Sequence, residues 1–255
     1  MNFTYSPERL AAIAHSLSGD RLGYYMSKCG GDTEAAIRMY QLNTKLSAAF
    51  YTPLQGVEVA VRNEMNGQLS AQFGPAWYDL SKIVLEARHA DDVQEAVREA
   101  TTFDKAGNEI PPTNGQVVAS LRFGFWVGIL GPKNENEIWR KALYKGFSHR
   151  GKGNERKAVH SALDDIRQLR NLVAHHRRIL HRYLEYDHDQ ILTVAGWVCP
   201  YVREWIEAHS IFDPADLPVP QETLPNLGLP EVDQIPPATP LPTRDGRPRL
   251  GVRGD

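Results

Sequence analysis

The amino-acid sequence predicts an all-α protein, an antiparallel helical bundle with additional helices around it. Three observations lead to this prediction. Apolar residues recur at intervals of three and four along most of the first 210 positions, the spacing of a helix face that packs on a core. Capping residues precede several of these stretches, and no alternating strand pattern persists. The composition, 42% hydrophobic and 24% charged in 255 residues, is typical of a globular chain.

Helix start signals divide the first 50 residues into two predicted helices. Ser6 is a favourable N-cap, and Pro7 suits the first helical position, so the first helix begins here and is closed by Gly19. Asp32 is the N-cap of a second helix that runs towards Phe50.

A third helix is predicted from Thr52 and Pro53 to Gly74. Its apolar stripe consists of Leu54, Val57, Val61, Met65 and Leu69. Glu58 and Arg62 stand four residues apart on it, in the orientation that favours an intrahelical ion pair. Two interpretations of these charges remain open: a structural pair, or a pair that supports residues of an active face.

The middle of the chain predicts a polar, alanine-rich helix over 81–100, a loop over 102–115 and a core helix over 116–130. Helical spacing then continues at Ile138, Trp139, Ala142, Leu143 and Phe147. A basic, glycine-containing loop at 148–154 precedes the central helix.

The C-terminal part predicts one more helix and then a change in composition. The helix begins at about Asp189, and Pro200 should kink or interrupt it. Ten of the seventeen prolines lie in residues 212–255, with few large apolar side chains. We therefore predict a helical domain over 1–210 and a Pro-rich, disordered or polyproline-like tail over 211–255.

The central stretch from Asp164 to Arg182 sorts its apolar and cationic residues onto opposite sides of a helix. At about 100° per residue, one face collects Leu169, Leu172, Val173, His176, Ile179, Leu180 and Tyr183. The opposite face gathers Asn171, His175, Arg178 and Arg182, with Arg167, Arg170 and Arg177 beside them. We expect the first face to be buried and the second to present a row of cations.

Three interpretations of the cationic row are open. Most charge runs are solvated faces, but arginines and histidines this close repel one another unless an anion lies among them. The second interpretation is an anion site, because Arg binds phosphate in a bidentate manner and His exchanges protons near neutral pH, which suits RNA cleavage. The third is a metal site made of His175, His176, His181 and His188. A continuous helix places His176 on the apolar side, away from His175, so we predict neither a metal nor another cofactor.

The charge of the chain is unevenly distributed. The net charge is −2, but the segment from Arg140 to Arg182 contains twelve Lys or Arg against three acids and carries +9, which leaves −11 for the remainder. A polyanion would approach from this segment. The alternative is that these cations pair with acids from elsewhere in the chain.

The string RNLVAHH resembles the signature of the HEPN superfamily, in which an Arg followed by a polar residue stands a few positions before a His. Arg170, Asn171 and His175 fit this signature. The longer string RNLVAHHRRI looks like the version found in the Abi-like (abortive infection) branch. QGVEVAVRN at 55–63 and LRFGFWVGIL at 121–130 are similar to other segments of that branch. The resemblance spans most of residues 30–205, although the Trp-Asn that often follows in the branch is replaced here by Leu and His.

The resemblance implies a HEPN-like bundle and a metal-independent endoribonuclease used in phage defence or as a toxin. The chemistry agrees, because attack of a ribose 2′-OH on the adjacent phosphate needs a base, an acid and a cation, and needs no metal once these are in place. We assign His175 to proton transfer, Arg170 to the phosphate and Asn171 to orientation or hydrogen bonding. The candidate substrate-binding residues are Arg167, Arg177, Arg178 and Arg182.

The expected partners follow from the same assignment. Arg170 and His175 lie about 140° apart on an ideal helix, so one copy makes a poor two-sided cleft. We therefore expect a homodimer, as HEPN proteins commonly form, with RNA as substrate and an antitoxin or regulatory protein as a further partner. The alternative from another class is a catalytically silent HEPN-like module that binds or dimerises and regulates a partner.

Membrane and secreted proteins are disfavoured. The N-terminus, MNFTYSPERL, lacks the basic and then apolar pattern of a secretory signal. The longest apolar stretch, 117–130, is too short to span a bilayer and carries Arg122. Cys29 and Cys199 are far apart and form no metal spacing. We expect a cytoplasmic protein with reduced thiols.

Overall fold

The computed structural model describes residues 3–150 and 155–217. The all-α prediction is confirmed, since the strands in this part of the chain are only two residues long. The described residues form two compact units. The first unit contains residues 3–50, 172–186 and 211–217, and the second contains residues 51–150, 155–171 and 187–210.

Three consecutive helices make up most of the first unit. Helix α1 (Pro7–Leu17) begins as predicted, with the Ser6 hydroxyl accepting a hydrogen bond from the backbone N–H of Arg9. Helix α2 (Gly19–Lys28) was not predicted, because Gly19 opens this helix instead of closing the preceding one. Helix α3 (Thr33–Ala49) begins at Asp32, whose carboxylate accepts a hydrogen bond from the backbone N–H of Ala35. Among these three helices, α2 and α3 supply the buried core residues, whereas α1 has none; the core includes Leu22, Tyr25, Ala36, Ile37, Met39 and Leu46.

Two later segments complete the first unit. Residues 172–186 contribute a helix end and a turn. Residues 211–217 pack against the end of α3, where the Phe212 and Phe50 ring centroids are 4.9 Å apart and Lys45 Nζ lies 2.5 Å from an Asp216 carboxylate oxygen. The chain therefore remains packed beyond residue 210, where the tail was predicted to begin. The rest of the predicted tail, 218–255, lies outside the described residues.

Helix α4 (Tyr51–Phe73) is the first helix of the second unit. Its predicted stripe is confirmed, because all five stripe residues are at most 5% exposed. The helix ends at Gly74, whose φ of +91° suits glycine. Helix α10 (Pro200–His209) packs closely on α4 at Gly56, where a Cβ atom would lie 2.7 Å from Cγ1 of Ile206.

The structure corrects the prediction for residues 81–130. Helix α5 (Ala87–Ala100) starts six residues later than expected, and the predicted loop after it contains a small hairpin, β1 (Thr102–Phe103) with β2 (Glu109–Ile110). The predicted core helix is two helices, α6 (Asn114–Ser120) and α7 (Phe123–Gly128), separated by extended residues Leu121 and Arg122. The break turns the aromatic residues of α7 into the core, where Phe125 stacks on Trp77 and Trp126 is fully buried.

The segment from Pro132 to Arg150 buries the residues of its predicted spacing but is not a regular α-helix. It consists of a 3-10 turn, a π-helical turn over Glu135–Trp139 and a 3-10 segment over Leu143–Arg150. All five residues of the predicted spacing are at most 5% exposed. Residues 151–154 of the predicted basic loop lie outside the described residues.

Helices α8 (Arg156–Ala174) and α9 (Leu184–Val198) follow. Helix α9 begins earlier than predicted, and Pro200 interrupts it as expected, with Cys199 extended between α9 and α10. The five tryptophans of the chain, Trp77, Trp126, Trp139, Trp197 and Trp205, all belong to the second unit.

Candidate functional site

The central helix α8 ends at Ala174, whereas the sequence predicted a helix to Arg182. His176 has a φ of +53°, a left-handed conformation. Its backbone N–H donates to the Val173 carbonyl at 3.1 Å, and the Arg177 N–H donates to the Leu172 carbonyl at 2.8 Å. These two bonds form the Schellman arrangement that terminates helices, with His175 as the C-cap. Histidine tolerates the left-handed conformation better than most residues, so the helix ends without a glycine.

This helix end overturns part of the predicted face assignment. His176 is exposed instead of lying on the apolar face, and Tyr183 is 54% exposed. Ile179 and Leu180 are buried as expected, but they belong to the segment after the helix. The cationic row through Arg178 and Arg182 therefore does not continue along α8.

The segment that follows α8 is held by side chains of the first unit. Asn43, which is 4% exposed on α3, accepts a hydrogen bond from the Ile179 N–H at 2.7 Å and donates to the Arg177 carbonyl at 3.4 Å. Arg21 on α2 donates from Nη1 to the His176 carbonyl at 2.7 Å. These contacts reach three successive parts of the segment, so its backbone path is fixed by α2 and α3.

The first unit also contains His175, Arg177, Arg178 and Arg182 of the predicted site. His175 is exposed, and its side chain makes no hydrogen bond to a described residue. Arg178 lies with Cζ 4.1 Å from the centroid of the Tyr24 ring. Arg177 is exposed, and Arg182 is partly buried in the turn before α9.

Arg170 and Asn171 belong to the second unit, where Arg170 forms an ion pair with Glu58 of α4. Arg170 Nε donates to Glu58 Oε2 at 3.1 Å, and Nη2 lies 3.5 Å from Oε1. The Arg170 side chain is 38% exposed and that of Glu58 is 19% exposed. Glu58 thus occupies the side edge of the guanidinium, and Nη1 makes no hydrogen bond within the described residues.

The interpretation of Glu58 and Arg62 as an intrahelical pair is not confirmed, since Glu58 pairs with Arg170. Arg62 Nε is buried without a hydrogen-bond partner in the described residues. Asn171, the residue after Arg170, is partly buried. Arg167, predicted to contact substrate, donates from Nε and Nη2 to Asp164 on its own helix at 2.9 and 2.7 Å.

The alternative interpretation of the sequence was a metal site made of His175, His176, His181 and His188. His188 Nε2 lies 2.9 Å from Ser210 Oγ, and burial lowers the pKa of His188. Within residues 3–150 and 155–217, no group of three or more His, Cys, Asp or Glu side chains is arranged to hold a metal ion.

Comparison with known proteins places the chain in a family. A family model described as Abi-like protein matches residues 9–181. The chain belongs to the Abi-like protein family. The matched range of this Abi-like protein includes Arg170, Asn171 and His175, and it ends one residue before Arg182. Membership points to abortive infection, a form of phage defence. Searches of curated proteins and of solved structures gave no significant match.

No helix in the described part of this Abi-like protein is long and apolar enough to cross a membrane.

Four residues of the site in this Abi-like protein were missed or left open by the sequence. Asn43 had a signal, because it is a polar residue in line with Met39 and Leu46 on the buried face of α3. Glu58 lies in the family-like segment 55–63, but the partner that the sequence suggested was Arg62, so its ion pair with Arg170 was not predicted. Arg21 and Tyr24 had no signal, since the helix that carries them was not predicted.

Proposed function

We propose that the protein is a metal-independent endoribonuclease of the HEPN type that acts in phage defence or as a toxin. The observation that carries the proposal is the Arg170–Glu58 pair, in which Glu58 binds one edge of the guanidinium. The Arg170 side chain is partly exposed, so its Nη1 end can donate to a phosphate oxygen. Membership of the Abi-like family supports the biological context.

The reaction is transesterification within the RNA chain. The ribose 2′-oxygen attacks the adjacent phosphorus, its proton passes to a base, and the bond from phosphorus to the 5′-oxygen breaks as that oxygen gains a proton. The products are a 2′,3′-cyclic phosphate and a 5′-hydroxyl. Arg170 neutralises the charge that develops on the phosphorane, Asn171 orients or hydrogen-bonds the phosphate, and His175 moves a proton. Arg177, Arg178 and Arg182 are substrate-binding candidates, and Arg167 joins them only if it leaves Asp164.

Exposure of His175 suits its proposed role. A proton-transfer residue must reach substrate and exchange its proton between turnovers, and the imidazole of His175 has no hydrogen bond to a described residue that would have to break first. Its backbone is nevertheless held by the end of α8 and by the Arg21 contact to the next residue.

The proposal is tested by incubating the purified full chain with total RNA and tRNA in excess EDTA. We expect cleavage, with 2′,3′-cyclic phosphate ends or their hydrolysis products. Loss of cleavage in EDTA with recovery on adding Zn²⁺ or Mg²⁺ would contradict the mechanism. A folded protein that never cleaves would favour the catalytically silent module.

Variants assign the roles. His175→Ala and Arg170→Ala should each lower the cleavage rate by about a hundredfold or more with an unchanged helical CD spectrum. The matched control is His176→Asn, which changes the adjacent exposed histidine and suits the left-handed conformation. It should retain near-wild-type cleavage. Equal losses in His175→Ala and His176→Asn would show that the helix end, rather than the His175 imidazole, is what matters.

A single histidine supplies only one of the two proton transfers at a time, so we also propose a homodimer in which a second copy lines the cleft. Two surfaces this basic repel each other, so association should strengthen with salt or with a non-cleavable RNA. Light scattering over a salt series measures this. A strict monomer that cleaves at full rate would refute the composite cleft. As part of the same function, we also propose that an antitoxin or a regulatory protein binds this protein.

A further inference from the structure

Two arginines connect the segment 175–178 to α2 in different ways. Arg21 uses a guanidinium nitrogen to bind the His176 carbonyl at 2.7 Å. Arg178 lies over the Tyr24 ring, with Cζ 4.1 Å from its centroid. Arg21 and Tyr24 are three residues apart on α2, so they lie on one face of that helix. Both arginines are exposed, and all four residues belong to the first unit.

The stack of Arg178 on Tyr24 is not needed to hold the backbone. Asn43 already fixes Arg177 and Ile179, and Ile179 is fully buried. An exposed cation–π contact contributes little to stability. The stack therefore adds little to the stability of a segment that is already anchored, and its exposed position calls for another role.

Tyr24 packs against a cluster of two further tyrosines. Its ring packs edge-to-face on Tyr25 at 5.4 Å between centroids, and Tyr25 packs in the same way on Tyr40 at 5.5 Å. Tyr25 is 3% exposed, and burial, followed by the neighbouring tyrosines, raises the pKa of Tyr25 to about 12. The Tyr24 ring therefore packs on the buried ring of Tyr25, while Arg178 lies over Tyr24.

The exposed surface of this stack matches the chemistry of an unpaired nucleotide. A guanidinium plane that covers a ring with one face can accept a nucleobase on the other, and its N–H groups can reach phosphate oxygens. Arg21, one helical turn from Tyr24 on α2, and Arg177, next to Arg178 in the chain, add positive charge. Bases inside a duplex are stacked on each other and are unavailable for such a contact.

We propose that Arg21, Tyr24 and Arg178 form a stacking platform for an unpaired base of single-stranded RNA. The inference rests on the proposed function, because it names the substrate class that the His175 segment would receive. The platform positions a flexible strand next to His175 by one stacked base and adjacent phosphate contacts.

Binding to RNA in the His175→Ala background tests the platform without cleavage. The probes are a fluorescently labelled unstructured 12-nucleotide RNA and the same strand annealed to its complement, compared by anisotropy at one salt concentration. We expect the single strand to bind at least tenfold more tightly than the duplex. Added Arg178→Lys, which keeps the charge but removes the plane, and added Tyr24→Leu should each weaken single-strand binding about tenfold, with little change for duplex.

Tyr5→Leu is the matched control in the same background. Tyr5, which precedes α1, also lies beneath an arginine, with Cζ of Arg38 on α3 at 4.4 Å from its ring centroid. It should leave the affinity for the single strand unchanged. If Tyr24→Leu fails to fold, Arg178→Lys still decides the question, since it changes only an exposed side chain.

The outcomes separate the two proposals. Equal affinity for single strand and duplex, or full single-strand affinity in folded Arg178→Lys, overturns the platform even if wild-type protein cleaves RNA. Platform-dependent binding by a wild-type protein that does not cleave supports the platform and overturns the nuclease. Absence of RNA binding in every form overturns both.

Discussion

Asn43 shows how one buried amide organises the segment that carries the histidine. Its oxygen accepts the Ile179 N–H and its nitrogen reaches the Arg177 carbonyl. A buried polar group on an apolar helix face is retained only when its hydrogen bonds are satisfied, and here the partners come from 134 and 136 residues away in the sequence.

We predict that Asn43→Ala lowers the free energy of unfolding by about 1–3 kcal/mol, because the Ile179 N–H loses its acceptor. Urea denaturation measures the loss, and hydrogen exchange should show faster exchange at Ile179. Thr44→Ala, next to Asn43 but exposed on α3, is the control and should be nearly neutral. An unchanged Ile179 exchange rate would show that the hydrogen bond does not hold this segment.

His89 is a second buried polar residue with a measurable consequence. It is 1% exposed, and burial, reinforced by Arg88, lowers the pKa of His89 below its ordinary 6.5. Burial lowers the pKa of His188 in the same direction. The unfolded chain takes up these protons near pH 6.5, whereas the folded chain takes them up only at lower pH. Their contribution to stability is therefore complete above about pH 6.5 and falls as the pH drops towards the lowered values.

The expected slope is at most about 1.4 kcal/mol per pH unit for each histidine. Urea midpoints at pH 7.5, 6.5 and 5.5 measure it. His89→Gln and His188→Gln should each give a shallower decline below pH 6.5, whatever their effect at pH 7.5. A decline as steep as that of the wild type in both variants would assign the acid sensitivity to other groups.

At the scale of elements, local signals decided which helices the sequence could predict. Helices α1 and α3 have an N-cap side chain, and α4 has a five-residue apolar stripe, so their starts or faces follow from neighbouring residues. Helix α2 was missed because Gly19 is permissive and starts a helix here. The break between α6 and α7 comes from aromatic packing in the core, which a run of apolar residues does not reveal.

The end of α8 explains how much of the candidate site was predictable. Arg170, Asn171 and His175 were proposed because their order and spacing resemble the HEPN signature, which does not depend on where the helix ends. The direction of residues 176–182 did depend on the helix end, because no glycine or proline marks it and His176 adopts the left-handed conformation instead. Arg21 and Asn43 bind the segment after α8, and Glu58 pairs with Arg170. These partners are distant in the sequence, so only the folded structure shows the contacts.

The close approach of α10 to α4 gives a prediction at the same scale. Gly56→Ala would place a methyl group 2.7 Å from Cγ1 of the fully buried Ile206. We expect a loss of about 1–3 kcal/mol, since the packed helices must move apart. Gly67→Ala on the same helix has open space around it and should be neutral or stabilising by up to about 1 kcal/mol. Thermal or urea unfolding compares the two, and equal effects would contradict the packing explanation.

At the scale of the whole chain, the packed region extends past residue 210 to include residues 211–217. The sequence predicts that a disordered or polyproline-like tail begins at residue 211, yet Phe212 is 9% exposed and packs on Phe50. A chain that ends at Leu217 should keep the full-length melting temperature. A chain that ends at Ser210 should lose about 3 kcal/mol, as for removal of a buried phenylalanine. Phe212→Ala in the full chain is the control, and its loss should account for most of the difference.

All five tryptophans lie in the second unit, so two spectroscopic signals of the unlabelled protein report on different parts of the chain. Indole fluorescence follows only residues 51–150, 155–171 and 187–210 among those described, whereas far-ultraviolet circular dichroism follows the helices of both units. If the molecule unfolds in one cooperative step, the two signals give superimposable denaturation curves. If the first unit, with α1 to α3 and the His175 segment, melts separately, ellipticity falls while the emission spectrum is still native. A single titration recorded with both signals thus measures the coupling between the units without an added label.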